Sequence, residues 1–118
     1  MSHKYHAKGT WIDGHFFPSQ AEAKRYRELL LLQRIGIVTE SELQPKFLLQ
    51  EGFVREGKVY RPITYRADFR VTYADGHIEV EDVKGYRTKE FDRTEKLLLY
   101  RYPDIRFNVL GGAKCSKR

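Results

Sequence analysis

The segment from Tyr65 to Lys84 constrains the fold most, because it has the pattern of two adjacent β-strands. Residues 65–73 are rich in aromatic and β-branched types, with apolar side chains at every second position. Residues 78–84 alternate in the same way. Gly76 lies between the two runs, where a tight turn needs a positive φ. The pattern therefore predicts two antiparallel strands joined by a short loop.

Three charged residues on these strands have the composition of a metal site. Asp68 lies on the first strand, and the second strand ends in Asp82-Val83-Lys84. Because a strand directs residues i and i+2 to one face, Asp82 and Lys84 lie side by side. Two carboxylates on adjacent strands can hold one hard cation such as Mg²⁺, whose shell is completed by phosphate oxygens and waters. A lysine beside the metal can orient or deprotonate the attacking water, so the set fits metal-assisted hydrolysis of a phosphodiester.

The register of the hairpin decides whether Asp68 meets the other two residues. A two-residue loop would pair Ala74 with His77. Asp68 would then lie opposite Val83, on the face away from Asp82. A three-residue loop, or one β-bulge, shifts the register by one residue and brings the carboxylates together. We predict the shifted register, and the alternative is an ordinary hairpin with Asp68 in solvent.

The ordered set of these residues resembles the PD-(D/E)XK nuclease superfamily. The resemblance rests on Asp68 followed by Glu81-Asp82-Val83-Lys84-Gly85, on the flanking Tyr65-x-Ala67-Asp68-Phe69 and on the upstream Pro18-Ser19-x-x-Glu22, and it covers residues 10–109. Within that superfamily the chain is most similar to a small phage-associated family that resembles Holliday-junction resolvases. The resemblance implies an α/β fold with a restriction-endonuclease-like core, in which a mixed central sheet is flanked by helices.

The resemblance also implies roles for individual residues. Asp68, Asp82 and the backbone carbonyl of Val83 would bind Mg²⁺, for which Mn²⁺ can substitute, and Lys84 would position or activate water. Glu22 has two interpretations: it only caps its helix, as the partner of an N-cap at Ser19, or it joins the catalytic set and binds the metal directly or through water. Glu81 faces away from Asp82 by the alternation of the strand, so it ranks below Asp82 as a ligand.

The remaining segments predict helices and strands around this hairpin. The predicted elements are a hairpin with its turn at 13–14, a helix from 19 to about 34 or 35, a connector at 37–43, a strand at 44–50, a hairpin arm at 51–61, a helix from about 90 to 100 or 101, and a last strand at 104–110 parallel to the strand at 78–84. We expect the rings of Trp11, Phe16 and Phe17 to pack on the segments that follow them. We also expect the chain to leave the sheet directly after Lys84. Residues 1–9 and 111–118 are expected to be flexible tails of a single domain.

The balance of charge favours a polyanionic partner. The chain of 118 residues carries a formal net charge of +6. Lys89, Arg93 and Lys96, here called the basic stripe, recur at helical spacing in the second predicted helix. The basic stripe either binds a phosphate backbone or is only solvated. The resemblance makes Lys96 the first candidate for a DNA contact.

Other features of the sequence exclude some classes of protein. No apolar run approaches the ~20 residues of a membrane-spanning helix. The N-terminus lacks the apolar stretch of a signal peptide. The single cysteine, Cys115, cannot form an internal disulfide, and no Cys/His pattern suggests zinc. We therefore expect a cytoplasmic protein with no membrane partner, located in the bacterial host cell if a phage encodes it.

Together these features predict a Mg²⁺-dependent DNA endonuclease with Glu22, Asp68, Asp82 and Lys84 as its catalytic residues. The resemblance implies branched DNA, such as a four-way junction, as the substrate, and a two-fold substrate suits a homodimer. One alternative is a nicking endonuclease that acts on ordinary or mismatched duplex. The others are a nucleic-acid-binding module without catalysis and a structural protein with incidental motifs. A pure binder has no reason to gather two carboxylates, which repel phosphate unless a metal is present.

Overall fold

The computed structural model describes residues 9–114, and only the backbone of residues 112–114. Within these described residues, two helices and ten strands follow one another as β1 (Thr10–Ile12), β2 (His15–Phe17), α1 (Gln20–Arg34), β3 (Val38–Leu43), β4 (Lys46–Gln50), β5 (Phe53–Arg55), β6 (Lys58–Tyr60), β7 (Ile63–Arg66), β8 (Phe69–Tyr73), β9 (Ile78–Arg87), α2 (Lys89–Arg101) and β10 (Phe107–Lys114). The predicted tails at 1–8 and 115–118, with Cys115, lie outside the described residues.

A mixed four-stranded sheet with the order β10-β9-β8-β3 forms the centre of the fold. Strand β8 pairs antiparallel with both β3 and β9, whereas β10 pairs parallel with β9. The parallel pairing was predicted, because the connection from β9 to β10 passes through α2 and a crossover of this kind returns a strand in the same direction. The fold class is therefore mixed α/β, as predicted.

The two helices pack on opposite faces of the sheet. The side chains under α1 form one core, which contains Ala23, Tyr26, Leu29, Phe69 and Val71. The core under α2 contains Phe47, Ala67, Val80 and Leu98. Gln33 on α1 and Leu97 on α2 are exposed and lie outside both cores. Within residues 9–114, neither helix is long and apolar enough to cross a membrane.

The sheet splits where β3 meets β4 and where β7 meets β8. Gln44 has a φ of 53°, and the amide of Ala67 donates to the carbonyl of Pro45 at 3.0 Å, so both chains bend at the same level. Strands β4 and β7 pair with each other beyond the bend. The predicted strand at 65–73 is thus two strands, β7 and β8, interrupted at Ala67 and Asp68. The predicted arm is a hairpin of β5 and β6.

Three boundaries differ from the prediction. The predicted connector at 37–43 contains β3, whose polar side chains made an edge strand look like a loop. Strand β9 does not leave the sheet after Lys84 but continues through Gly85 to Arg87. Strand β10 likewise runs past Gly111 to Lys114, because β9 and β10 remain paired there. The expected tail at 111–118 is therefore strand as far as residue 114.

The N-terminal hairpin forms as predicted but presents its rings differently. Its turn residues Asp13 and Gly14 have φ values of 53° and 82°, as a tight two-residue turn requires. Phe17 is buried under α1. Trp11 and Phe16 remain 70% and 49% exposed, so the expectation that they pack on the body of the protein is wrong.

Candidate active site

The register of β8 and β9 places Asp68 level with Asp82. Phe69 pairs with Glu81, so the next residues outward on each strand are the two aspartates. The loop between the strands has three residues, 74–76, which closes the hairpin in the shifted register. The predicted register is confirmed. Asp68, Asp82 and Lys84 meet at the end of the sheet where it splits.

Hydrogen bonds fix Asp68 at the bend between β7 and β8. One carboxylate oxygen, Oδ2, accepts from the amide of Val83 at 2.7 Å. The amide of Asp68 donates to the carbonyl of Glu81 at 3.0 Å, and its own carbonyl accepts from the amide of Gln44 at 2.9 Å. The side chain is therefore held by β9 and the backbone by both neighbouring strands, which leaves Asp68 little freedom to turn away.

Asp82 is almost fully buried and is held by two side chains. Only 4% of it is exposed. The hydroxyl of Tyr65 donates to Oδ2 of Asp82, and Nζ of Lys84 lies 3.6 Å from the same oxygen. Nζ of Lys84 also lies 4.4 Å from the centre of the Phe91 ring, so a cation–π contact restricts its position. Sequence analysis missed the role of Tyr65, because an aromatic residue in an alternating strand looks like core.

Glu22 faces the same region from the first turn of α1. Oγ of Ser19 accepts from the amide of Glu22 at 3.1 Å, which confirms the predicted helix start. Among residues 9–114 the reciprocal bond, from the amide of Ser19 to the carboxylate of Glu22, is absent, and that carboxylate lines a cleft with Asp68. Burial and then the charge of Asp82 raise the pKa of Glu22, whereas Lys84 lowers it. The four predicted catalytic side chains are thus brought together.

The charged form of Asp68 is only partly stabilised by its surroundings. Burial, followed by the adjacent carboxyl group of Asp82, raises the pKa of Asp68 to about 7, although the bond from the Val83 amide acts in the opposite direction. Burial and then its bond to Asp82 also raise the pKa of Tyr65, which keeps that hydroxyl protonated as a donor. The site therefore favours binding of a proton or a cation.

The side chains present suit a hard divalent cation. Among residues 9–114, no group of three or more His, Cys, Asp and Glu side chains is gathered closely enough to hold a metal ion by itself. The predicted ligands are two carboxylates and one backbone carbonyl, so water or phosphate oxygens would have to complete the shell, as is usual for Mg²⁺. The register that places Asp68 level with Asp82 supports the fit. The raised pKa of Asp68 agrees with it, because a cation would neutralise the same negative charge.

Glu81 lies on the other face of β9 and does not join this site. It is 1% exposed, and both of its oxygens accept from Arg25, at 2.8 Å to Nε and 2.6 Å to Nη2. The prediction that Glu81 faces away from Asp82 is confirmed. Sequence analysis missed Arg25, which follows Glu22 by almost one helical turn and ties α1 to β9. Two charges so far apart in the sequence carry no local signal of pairing.

A cleft of about 320 Å³ opens beside Glu22 and Asp68. Strands β1 and β2, the start of α1 and the bend between β3 and β4 enclose it, and its lining residues are Trp11, Gly14, His15, Phe16, Phe17, Glu22, Leu43, Gln44, Asp68 and Phe69. Two of the proposed catalytic carboxylates therefore face a space that a substrate can enter. Sequence analysis did not assign the N-terminal hairpin to the site, because its place beside Asp68 depends on the tertiary fold.

The basic stripe lies on the exposed side of α2. Its three side chains line a shallow groove of about 290 Å³ together with Asp92. Arg87, which precedes the helix, binds Asp92 at 2.8 Å and also binds Glu95. Two carboxylates near the stripe, Asp92 and Glu95, are therefore engaged by Arg87, which leaves the three cations of the stripe less neutralised.

Comparison with known proteins gives a family but no activity. A family model described as "Protein of unknown function (DUF1064)" matches residues 2–117, almost the whole chain. No curated protein and no solved structure matches the chain. The function therefore has to be inferred from the geometry of the site.

Proposed function

We propose that the chain, which belongs to the DUF1064 family, is a divalent-metal-dependent DNA endonuclease with a restriction-endonuclease-like core. One observation carries the proposal: Asp68, Asp82 and Lys84 come together on adjacent strands. The order of a helix, antiparallel strands, a helix and a parallel strand supports the fold assignment. The surrounding bonds also support it, because they hold charged groups in place that have no evident role in stability.

Asp68 and Asp82, with the backbone carbonyl of Val83, would hold Mg²⁺, and Mn²⁺ would substitute. When bound, the ion would neutralise charge on the scissile phosphate and lower the pKa of a bound water. The chain contributes preorganisation: the Val83 amide holds Asp68, and the hydroxyl of Tyr65 holds Asp82. Carboxylates fixed in this way need no rearrangement during the reaction.

Lys84 would orient the attacking water or take its proton. Its Nζ atom lies beside Oδ2 of Asp82 and over the ring of Phe91, so it reaches the site from one fixed direction. Glu22 would bind a second water, since it lines the cleft with Asp68. These roles require Glu22 and Lys84 to reach the same phosphate. The charge of Lys84 acts on the pKa of Glu22, which supports their proximity.

The DNA would lie across the basic stripe. The stripe is exposed and retains its positive charge, and the whole chain has a net charge of +6. We propose branched DNA as the substrate and a homodimer as the active form, because two copies related by two-fold symmetry would cut both strands of a two-fold junction. A nicking enzyme that acts on ordinary or mismatched duplex is the neighbouring possibility within the same chemistry.

Cleavage of a labelled four-way junction and of a linear duplex with the same arm sequences tests the proposal. Each DNA is incubated with the wild-type protein in Mg²⁺, in Mn²⁺ and in EDTA. The same series is run with Asp82→Asn, which keeps the size of the side chain but removes its charge. Glu40→Gln is the matched control, because Glu40 is an exposed carboxylate on β3.

We expect cutting in Mg²⁺ and Mn²⁺ by the wild type and by the Glu40→Gln protein, and none in EDTA or by the Asp82→Asn protein. Cutting of the junction alone would support the resolvase-like substrate. Cutting of both DNAs would keep the endonuclease and discard that substrate. Salt-dependent binding of both DNAs without cutting would contradict the proposal and favour a binding module.

A further inference from the structure

The exposed pair of Trp11 and Phe16 has no partner in the described core. The two residues lie opposite each other on β1 and β2, and their ring centres are 5.2 Å apart at an angle of 54°. They are 70% and 49% exposed. Large apolar rings left in water forgo the stabilisation of burial, so a ligand that covers both rings would gain it.

The pair occupies the same cleft as the proposed catalytic carboxylates. Trp11, Phe16, Glu22 and Asp68 all line the cleft of about 320 Å³. Aromatic faces stack on nucleobases. Carboxylates that hold a divalent cation bind phosphate through that cation. The aromatic and the acidic lining residues of this single cleft therefore match the base and the phosphate of one nucleotide.

The hairpin that carries the pair is anchored beside Glu22. Phe17 packs on Tyr26 of α1 with ring centres 4.8 Å apart. Gly9 lies against Phe16 so closely that a Cβ atom there would come within 2.1 Å of the ring. The two rings are therefore held in position before any ligand arrives, which lowers the entropic cost of binding.

We propose that Trp11 and Phe16 stack on an unpaired nucleobase of DNA whose phosphate lies at the site of Asp68 and Asp82. This inference rests on the proposed nuclease function and narrows its substrate. In an intact duplex each base is already stacked and paired, so its face is not accessible. The substrate class is therefore DNA with an unpaired nucleotide at the point of cleavage, as in an open junction, a flap or a mismatch.

Trp11 is the only tryptophan in the chain, so its fluorescence reports this cleft alone. The protein is titrated with a DNA duplex that has one unpaired thymine and with the fully paired duplex, both in Ca²⁺, and the DNA is checked afterwards for cutting. Fluorescence anisotropy of a dye on the DNA gives binding in the same samples. The unpaired-thymine DNA should quench the fluorescence of Trp11 in a saturable way, and the paired duplex should cause little quenching even when bound.

Two variants and a control separate stacking from general DNA affinity. Trp11→Ala should weaken binding of the unpaired-thymine DNA about 5–100-fold, as loss of one base–aromatic stack does, and should leave paired-duplex binding unchanged. Trp11→Phe should restore most of that affinity. Phe53→Ala is the control, because Phe53 is 46% exposed and stacked on Tyr60 in the β5–β6 hairpin and does not line the cleft, and it should change neither affinity.

The outcomes distinguish this inference from the proposed function. Equal binding of both DNAs without quenching, or an equal loss of both affinities in the Trp11→Ala protein, would overturn the stacking site and leave the nuclease proposal standing. No binding of either DNA would overturn both. Preference for the unpaired thymine together with quenching and recovery by Trp11→Phe would support the site.

Discussion

The charged form of Asp68 lowers the free energy of unfolding, and Asp68→Asn removes that charge. Burial and the adjacent Asp82 raise the pKa of Asp68 from 3.8 to about 7. If the whole of this rise in pKa acted on the free energy of unfolding, it would correspond to roughly 4 kcal/mol. Because the side chain is only half-buried, screening by solvent reduces this to about 1–2 kcal/mol. Asparagine keeps an oxygen for the Val83 amide, so the substitution changes mainly the charge.

The direction of the effect with pH follows from proton binding. The folded state binds the proton of Asp68 more tightly than the unfolded state does. The stability that this proton contributes is complete below the unfolded pKa of 3.8 and is lost as the pH rises through about 7. Without divalent metal, Asp68→Asn should therefore exceed the wild type in free energy of unfolding by about 1–2 kcal/mol at pH 8.5. Most of that advantage should disappear at about pH 4.5.

Urea unfolding in EDTA at the two pH values, followed by circular dichroism, measures this difference. Asp104→Asn is the control, since Asp104 is exposed between α2 and β10 and loses the same charge. Adding Mg²⁺ at pH 8.5 should stabilise the wild type and reverse the order of the two proteins. A difference between Asp68→Asn and the wild type that is the same at both pH values would refute the electrostatic reasoning.

Four further predictions concern the cores, the ion pair and the site. In urea unfolding, Leu29→Ala should lower the free energy of unfolding by about 2–5 kcal/mol because Leu29 is fully buried. Leu31→Ala should lower it far less because Leu31 is exposed, and equal losses would contradict the assigned core. Arg25→Met should lower the free energy of unfolding by about 3–5 kcal/mol, because it leaves Glu81 buried and unpaired. Adding Glu81→Met should recover most of that loss. Lys84→Met should slow DNA cleavage about 10²–10⁴-fold while Mn²⁺ binding persists, and unchanged cleavage would exclude the proposed role. Replacing all three residues of the basic stripe by glutamine should make DNA binding less sensitive to salt. In a plot of the logarithm of the DNA association constant against the logarithm of salt concentration, the magnitude of the slope should fall by about 2.7 if all three side chains contact phosphates.

Local sequence signals were sufficient where neighbouring residues determine the structure. Ser19 and Glu22 predicted the start of α1, and Gly36, with a φ of 90°, marks its end. The three-residue loop at 74–76 could be inferred because only that register places Asp68 on the same face as Asp82 and Lys84. In both cases the deciding interaction lies within one turn or one hairpin.

The errors come from segments whose structure depends on the rest of the fold. Thr39, Glu40 and Glu42 look like a loop in isolation, yet β3 pairs along the edge of the sheet with β8. Gly85 and Gly111 suggest chain turns, but the pairing of β9 with β10 keeps both in the sheet. Gly111 has a φ of 77°, and a Cβ atom there would lie 2.8 Å from the carbonyl oxygen of Lys84. That glycine therefore permits a close approach of two strands.

The parts of the site that sequence analysis missed are long-range contacts. Tyr65 reaches Asp82 across the bend in the sheet, and Arg25 reaches Glu81 from α1. The position of Trp11 beside Asp68 likewise requires the N-terminal hairpin to fold against α1. Residue types and spacing predicted the charged residues of the site, whereas the groups that hold and surround them depend on packing alone.

Mn²⁺ binding tests the central claim, that Asp68 and Asp82 form one site for a divalent cation. Equilibrium dialysis at pH 8 counts the ions bound by the wild type, by Asp82→Asn and by the control Glu40→Gln. The account predicts one ion per chain for the wild type and the control, and an affinity at least tenfold lower for Asp82→Asn, because a charged ligand of a hard cation is lost. Equal affinities in all three proteins, or no binding by the wild type, would contradict it.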